Sequence, residues 1–204
     1  TKWTLKAEKI GTYDKTADQT YTGEVKLGDI YSDLNMSSKD SAEYYIDGTP
    51  QANQDVKKGN DTKVGVGNGA TTYVYHDEDT NDVTICAISV YAGEISQVKG
   101  ATSKKDAYVV VDTDSTIADF NDEYETEAFA EDDVVAFTYA DGEIQTMYKM
   151  ESVEGELSKR VAAKSVTLGD TTYKYAKEYA FGDDLSEGSL TNKSSYVVYT
   201  DANG

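Results

Sequence analysis

The chain has 204 residues, with 38 acidic side chains against 19 basic ones and a net charge of −19. A polyanion or an anionic membrane would be repelled by such a surface, so neither nucleic acid nor an anionic membrane surface is expected as a partner, and no apolar run is long enough to predict membrane insertion. Hydrophobic content is only 38%, but 17 Tyr and 4 Phe supply large core pieces for one large β domain or several small ones.

Residues 1–10 alternate. Trp3, Leu5 and Ala7 fall on one side, and Lys2, Thr4, Lys6 and Glu8 on the other, the pattern of a half-buried strand. Residues 11–33 carry Tyr13, Tyr21, Val25, Leu27 and Ile30, with Leu27-Gly28-Asp29 expected as a turn. Residues 35–70 are polar and irregular. They hold the only proline, Pro50, and the glycines Gly65, Gly67 and Gly69, and they are expected to form a long exposed insertion with a short strand at Tyr44-Tyr45-Ile46. Residues 71–90 make a hairpin around the polar loop 77–82.

Tyr108-Val109-Val110-Val111-Asp112 is a strand, followed by an acidic stretch, 117–133, where a short helix is compatible with the anchors Phe120, Tyr124 and Phe129. Residues 134–150 hold the strongest hairpin signal, two β-rich runs flanking Asp141-Gly142. A two-residue turn there puts Val135, Phe137, Tyr139, Ile144 and Tyr148 on one face, the other being mostly small or polar. Residues 165–170 and 171–175 form a further β pair, and Tyr196-Val197-Val198-Tyr199 the last strand.

A repeat underlies this order. Gly93-Glu94-Ile95 matches Gly155-Glu156-Leu157, 62 positions on, with a hairpin before each and a strand after each. Val25-Lys26-Leu27-Gly28-Asp29 matches Val166-Thr167-Leu168-Gly169-Asp170. The expectation is an all-β chain of three small repeated modules in tandem, sandwich- or barrel-like. They span 11–92, enlarged by the insertion near 35–70, then 93–154 and 155–204, with 1–10 as an N-terminal strand. The third module ends at the turn signal Asn203-Gly204 without a return strand. Pairing 1–10 with the last strand places Lys2 opposite Asp201, Leu5 opposite Val198 and Ala7 opposite Tyr196, with Trp3 on the same face. Three situations produce that complementarity: a cut from a longer array whose flanking modules complete the ends, a strand folded back on its own chain, or a strand donated head to tail to the next molecule.

Chemistry is sparse. The chain holds one histidine, His76, and one cysteine, Cys86. A symmetric 71–90 hairpin puts Tyr73 opposite Cys86 and His76 opposite Val83, on opposite faces, which argues against a Cys–His nucleophile. No phosphate-cradling or nucleophile-elbow motif is present. Asp77, Asp79 and Asn81 offer oxygens at positions 1, 3 and 5 of a calcium loop, but Asp82 and Ile88 stand where a helix–loop–helix site needs Gly and Glu. A weak exposed calcium site at Asp77, Asp79 and Asn81 is the remaining cofactor candidate.

The pattern Val-x-Leu-Gly-Asp-Thr-Thr-Tyr-Lys-Tyr-Ala at 166–176 resembles the β repeats of large secreted surface proteins of Gram-positive bacteria that carry S-layer homology domains. Asp132-Asp133-Val134-Val135, Tyr-Ala-Asp-Gly-Glu-Ile at 139–144 and Tyr-Thr-Asp-Ala-Asn-Gly at 199–204 share the resemblance, which spans 93–204. It implies a secreted, cell-surface role, structural or adhesive, and no enzyme. The expected function is therefore a building block of a surface layer or filament. Trp3, Leu5 and Ala7 would meet Tyr196 and Val198, with the partner a second copy or a flanking module. The alternative is an adhesin or carbohydrate-binding array, assisted by calcium.

Overall fold

The computed structural model describes residues 16–112, 122–140, 142–162, 164–176 and 190–203. The chain is all-β, with one short helix among the described residues. Contacts divide it into two units, Thr1–Ser89 with Thr138–Asp141, and Val90–Phe137 with Gly142–Gly204.

The first unit is built on a six-stranded sheet. Strand β1 (Gln19–Thr22) pairs with β7 (Thr71–Asp77), and β7 with β8 (Asp82–Ile88). The β7–β8 register sets Tyr73 opposite Cys86 and His76 opposite Val83, as the symmetric hairpin requires. Beyond β8 lies β3 (Lys39–Ile46), running parallel to it, then β4 (Thr49–Pro50), with β5 (Gln54–Val56) also on β3. Asp47 and Gly48, at φ 45 and 80, make the turn between β3 and β4. Strands β2 (Val25–Lys26) and β6 (Lys63–Val64) form a separate two-stranded ladder.

Three expectations are corrected here. Residues 35–70 are not an exposed insertion, because Ala42, Tyr44, Val56 and Val64 are buried in the core of this unit. The short strand expected at Tyr44-Tyr45-Ile46 is the end of eight-residue β3, which sits inside the sheet. Leu27-Gly28-Asp29 is not a turn but the start of helix α1 (Leu27–Asp33), which buries Leu27 and Ile30. Gly28 is needed there: a Cβ on it would lie 3.0 Å from the backbone nitrogen of Asn60.

Apart from Thr138–Ala140, at the end of one strand, the second unit holds two sheets of one design. The five-stranded sheet comprises β9 (Tyr91–Lys99), β10 (Tyr108–Asp112), β11 (Glu123–Glu125), β12 (Val134–Ala140) and β13 (Glu143–Lys149), in the order β11-β10-β9-β12-β13. The four-stranded sheet comprises β14 (Glu151–Val161), β15 (Ser165–Leu168), β16 (Thr171–Lys174) and β17 (Ser195–Thr200), in the order β16-β15-β14-β17. Counted from its own first strand, each sheet runs third, second, first, fourth. Among the described residues, the larger sheet alone continues to a fifth strand, β13, beyond the fourth.

The registers agree residue by residue. Val109 opposes Tyr124 as Val166 opposes Tyr173. Ile95 opposes Val111 as Leu157 opposes Leu168. Gly93 opposes Val135 as Gly155 opposes Tyr196, and Tyr91 opposes Phe137 as Val153 opposes Val198. Both first strands shift register one residue past Ile95 and Leu157. Such a bulge leaves one residue unpaired in the ladder. In each copy that residue is a serine, and its hydroxyl reaches the facing strand: Ser96 Oγ donates to the Val110 carbonyl and Ser158 Oγ to the Thr167 carbonyl, both at 3.3 Å. The turn entering each fourth strand is also shared. Asp132 and Lys193 take positive φ, 68 and 66, and their N–H groups donate to the carbonyls of Ile95 and Leu157.

The 134–150 hairpin forms as expected around Gly142, at φ 78, with Asp141 outside the described residues. Its first strand is not one-sided, however. Val134, Val135, Ala136 and Phe137 are all buried, so both faces of β12 are covered. Phe120 lies outside the described residues, and within 122–133 the described structure is strand β11 and turns rather than a helix.

Gly155 lies beneath Leu168, and a Cβ added to it would stand 3.0 Å from the Leu168 Cβ. Alanine ordinarily gains about 0.5–1 kcal/mol over glycine in a strand. Here Gly155→Ala should instead destabilise by about 1–3 kcal/mol, the usual cost of overpacking. Urea unfolding should give a favourable coupling between Gly155→Ala and Leu168→Ala, because the smaller partner removes the clash.

Candidate assembly edge

Strand β17 is the last strand of its sheet, and among the described residues no strand pairs with its outer edge. It alternates regularly: Tyr196, Val198 and Thr200 are half-buried, while Ser195, Val197 and Tyr199 are exposed. Tyr196 and Val198 pack with Tyr173, Tyr175 and Leu190 against the small core of Leu157, Val166 and Leu168. The Tyr196 hydroxyl accepts the Thr191 N–H at 2.7 Å, and Tyr196 stands opposite Gly155 in the ladder.

Comparison with β12, its counterpart, shows what is uncovered. The Tyr91–Phe137 pair is buried, its rings stacked 5.8 Å apart. The matching Val153–Val198 pair leaves Val153 39% exposed. On the other face Ala136 is fully buried, whereas its counterpart Val197 is 46% exposed and the neighbouring Tyr199 42%. In the larger sheet β13 lies along β12 and buries Ile144. Tyr148 of β13 also accepts the Ala202 N–H at 3.1 Å, and burial raises its phenol pKa. Among the described residues the four-stranded sheet thus presents an apolar edge strand with no neighbour on its outer side, the arrangement that invites another strand.

Of the expected assembly residues, Tyr196 and Val198 lie on one face of this edge strand. Trp3, Leu5 and Ala7 lie outside the described residues. Val153, Gly155 and Leu168 were not singled out by sequence reasoning, although Gly93-Glu94-Ile95-Ser96 and Gly155-Glu156-Leu157-Ser158 carry the signal once the serine is included.

The acidic turn between β7 and β8 is closed by its own side chains. Asp77 Oδ1 accepts the N–H groups of Asp79 at 3.0 Å and Thr80 at 3.2 Å. Asn81, at φ 55, places its Oδ1 3.1 Å from His76 Nε2. Asp82 pairs with Lys39 at 2.6 Å and accepts the Thr80 hydroxyl at 2.9 Å. Asp77 Oδ1 and Asn81 Oδ1 are therefore engaged by hydrogen bonds at the turn. Among the described residues no group of three His, Cys, Asp or Glu side chains is arranged to hold a metal ion.

His76 and Cys86 fall on opposite faces of β7–β8. Burial, with the nearby Glu43 carboxylate, pushes the Cys86 thiol up to about 12, so it stays protonated at neutral pH. No helix among the described residues is long and apolar enough to cross a membrane. Comparison with family models, curated proteins and solved structures finds no match for the chain.

The N–H of Thr80, with that of Asp79, holds the Asp77 carboxyl below its ordinary value. A depressed carboxylate contributes stability that is present above the unfolded pKa of about 3.9 and lost as pH falls through the lower folded value. Amide shifts of Asp79 and Thr80 followed by NMR should therefore titrate together below pH 4. In Asp77→Asn that step should vanish.

Proposed function

We propose that the chain is a non-enzymatic structural building block of an extracellular surface layer or filament, assembling by β-strand complementation between chain ends. The observation that supports this reading is the match between the two sheets of the second unit. They share strand order, registers, bulge serine and entry turn, but among the described residues the fifth strand that covers β12 has no counterpart on β17. A strand from a second copy would complete this edge. Residues 1–10 suit the role, since their alternation presents Trp3, Leu5 and Ala7 to the face that holds Tyr196 and Val198. Main-chain bonds give such a joint its direction, and pockets for alternate side chains give it specificity. Burying Trp3 and Leu5 would contribute about 2–3 kcal/mol each before ordering costs.

A buried, protonated Cys86 and a histidine engaged by Asn81 also favour a structural over a nucleophilic role. A calcium-assisted adhesin would draw on oxygens already engaged in the β7–β8 turn.

The test is light scattering with negative-stain imaging of residues 1–204 over a range of concentrations. Filaments or a concentration-dependent ladder are expected, and deletion of residues 1–10 should leave monomers. Assembly that survives the deletion would overturn the reading.

A further inference from the structure

We infer that the strand received by β17 is selected by charge as well as by shape, and that its occupant is the basic N-terminal segment of a second copy of this chain. This rests on the assembly reading above and names the groups that make the joint specific. Within a chain of net charge −19, residues 1–10 hold Lys2, Lys6 and Lys9 against Glu8 alone, a local charge of +2. The receiving strands are the reverse. Glu151, Glu154 and Glu156 on β14 are all exposed, Asp201 follows β17, and residues 151–157 and 195–201 contain no basic side chain.

The register places these charges. Glu154 stands opposite Val197 and Val153 opposite Val198. A donor strand with Leu5 opposite Val198 puts Lys6 opposite Val197. The rows across the three strands are then Leu5–Val198–Val153 on the core face and Lys6–Val197–Glu154 on the other. Lys6 and Glu154 would stand two strand spacings apart, about 10 Å between backbones, within reach of a lysine stem laid over the exposed valine. Lys2 would face Asp201 directly. The core-face row covers Val153, left exposed in the absence of a neighbour, and the polar row covers Val197. Such complementarity steers association and rejects wrong registers, because slipping by one residue carries the lysines to the apolar face.

Two charge-reversed full-length chains test this, one with Lys2→Glu and Lys6→Glu, the other with Glu154→Lys and Asp201→Lys. All four positions are predicted to be at the joint, and far-UV circular dichroism checks that each chain folds. Each alone should assemble only at concentrations about tenfold or more above the wild type at low salt, with the difference shrinking as salt screens the charges. Mixed in equal amounts, they should assemble again, because each donor then meets an acceptor of opposite sign. Reversed chains that assemble like the wild type would overturn the charge selection while leaving strand donation standing, provided the 1–10 deletion still abolishes assembly. Failure of the mixture to assemble would overturn donation between copies. A wild-type chain that stays monomeric throughout would end the assembly reading itself.

Discussion

One local defect organises the second unit: the bulge in the first strand of each sheet. A central strand that pairs on both sides must keep register with two neighbours at once. The extra residue at Ser96 and at Ser158 turns that strand, and the serine hydroxyl recovers a bond to the neighbouring carbonyl. On the opposite edge of the same strand, Ile95 and Leu157 use their backbone groups to hold the turn that feeds the fourth strand. The fourth strand therefore cannot slide without breaking that turn, whose Asp132 and Lys193 already occupy the left-handed region. Fixing the fourth strand fixes which of its side chains face the core, and hence the character of the edge it offers.

The same logic explains the glycines. Gly155 leaves room for Leu168 from the adjacent strand to lie across the sheet, with Tyr196 opposite. Among the described residues the buried apolar members of this core are Leu157, Val166 and Leu168, and that contact sets the spacing between β14 and β15. A core this small depends on tyrosines to close it, and Tyr173, Tyr175 and Tyr196 do so while keeping a polar tip. The Thr191–Tyr196 bond shows the benefit, as the hydroxyl ties the loop before β17 to the strand itself.

Much of this was legible because it is local. The β7–β8 register follows from the symmetric disposition of Thr71–Asp77 and Asp82–Ile88 about their loop, and the strand Tyr108–Asp112 from its unbroken β-branched run. The tripeptide Leu-Gly-Asp shows the limit of matching motifs. At 168–170 it turns a hairpin, with Gly169 at φ 57, because Thr171–Lys174 continues as a strand. At 27–29 it opens a helix, because Ile30 and Leu34 follow Leu27 at helical spacing and that face has a core to enter. Strand β3 was hidden for a different reason. Ala42, Tyr44 and Ile46 do alternate, but their partner is β8, some forty residues away and parallel. Polar neighbours and Pro50 make the segment look like a loop until that distant strand is present. The edge at β17 was legible only through the turn signal Asn203-Gly204 that follows it; that Val153 and Val197 stand uncovered needed the covered copy beside it for comparison.

That comparison also bears on why such an edge is kept. Natural sheets protect edge strands with charge, proline, bulges or brevity, since an open apolar edge templates indiscriminate pairing. β17 has no proline and no bulge, and its own strand is uncharged from Ser195 to Thr200. The protection sits one strand inward, in Glu151, Glu154 and Glu156, and past the end of the strand at Asp201. Negative charges there repel the acidic bulk of the chain, which is most of what another copy could present. A short segment of opposite sign escapes that repulsion. On the assembly reading proposed above, an edge built this way would discourage general aggregation while remaining open to one kind of strand, and both properties would come from the same four carboxylates.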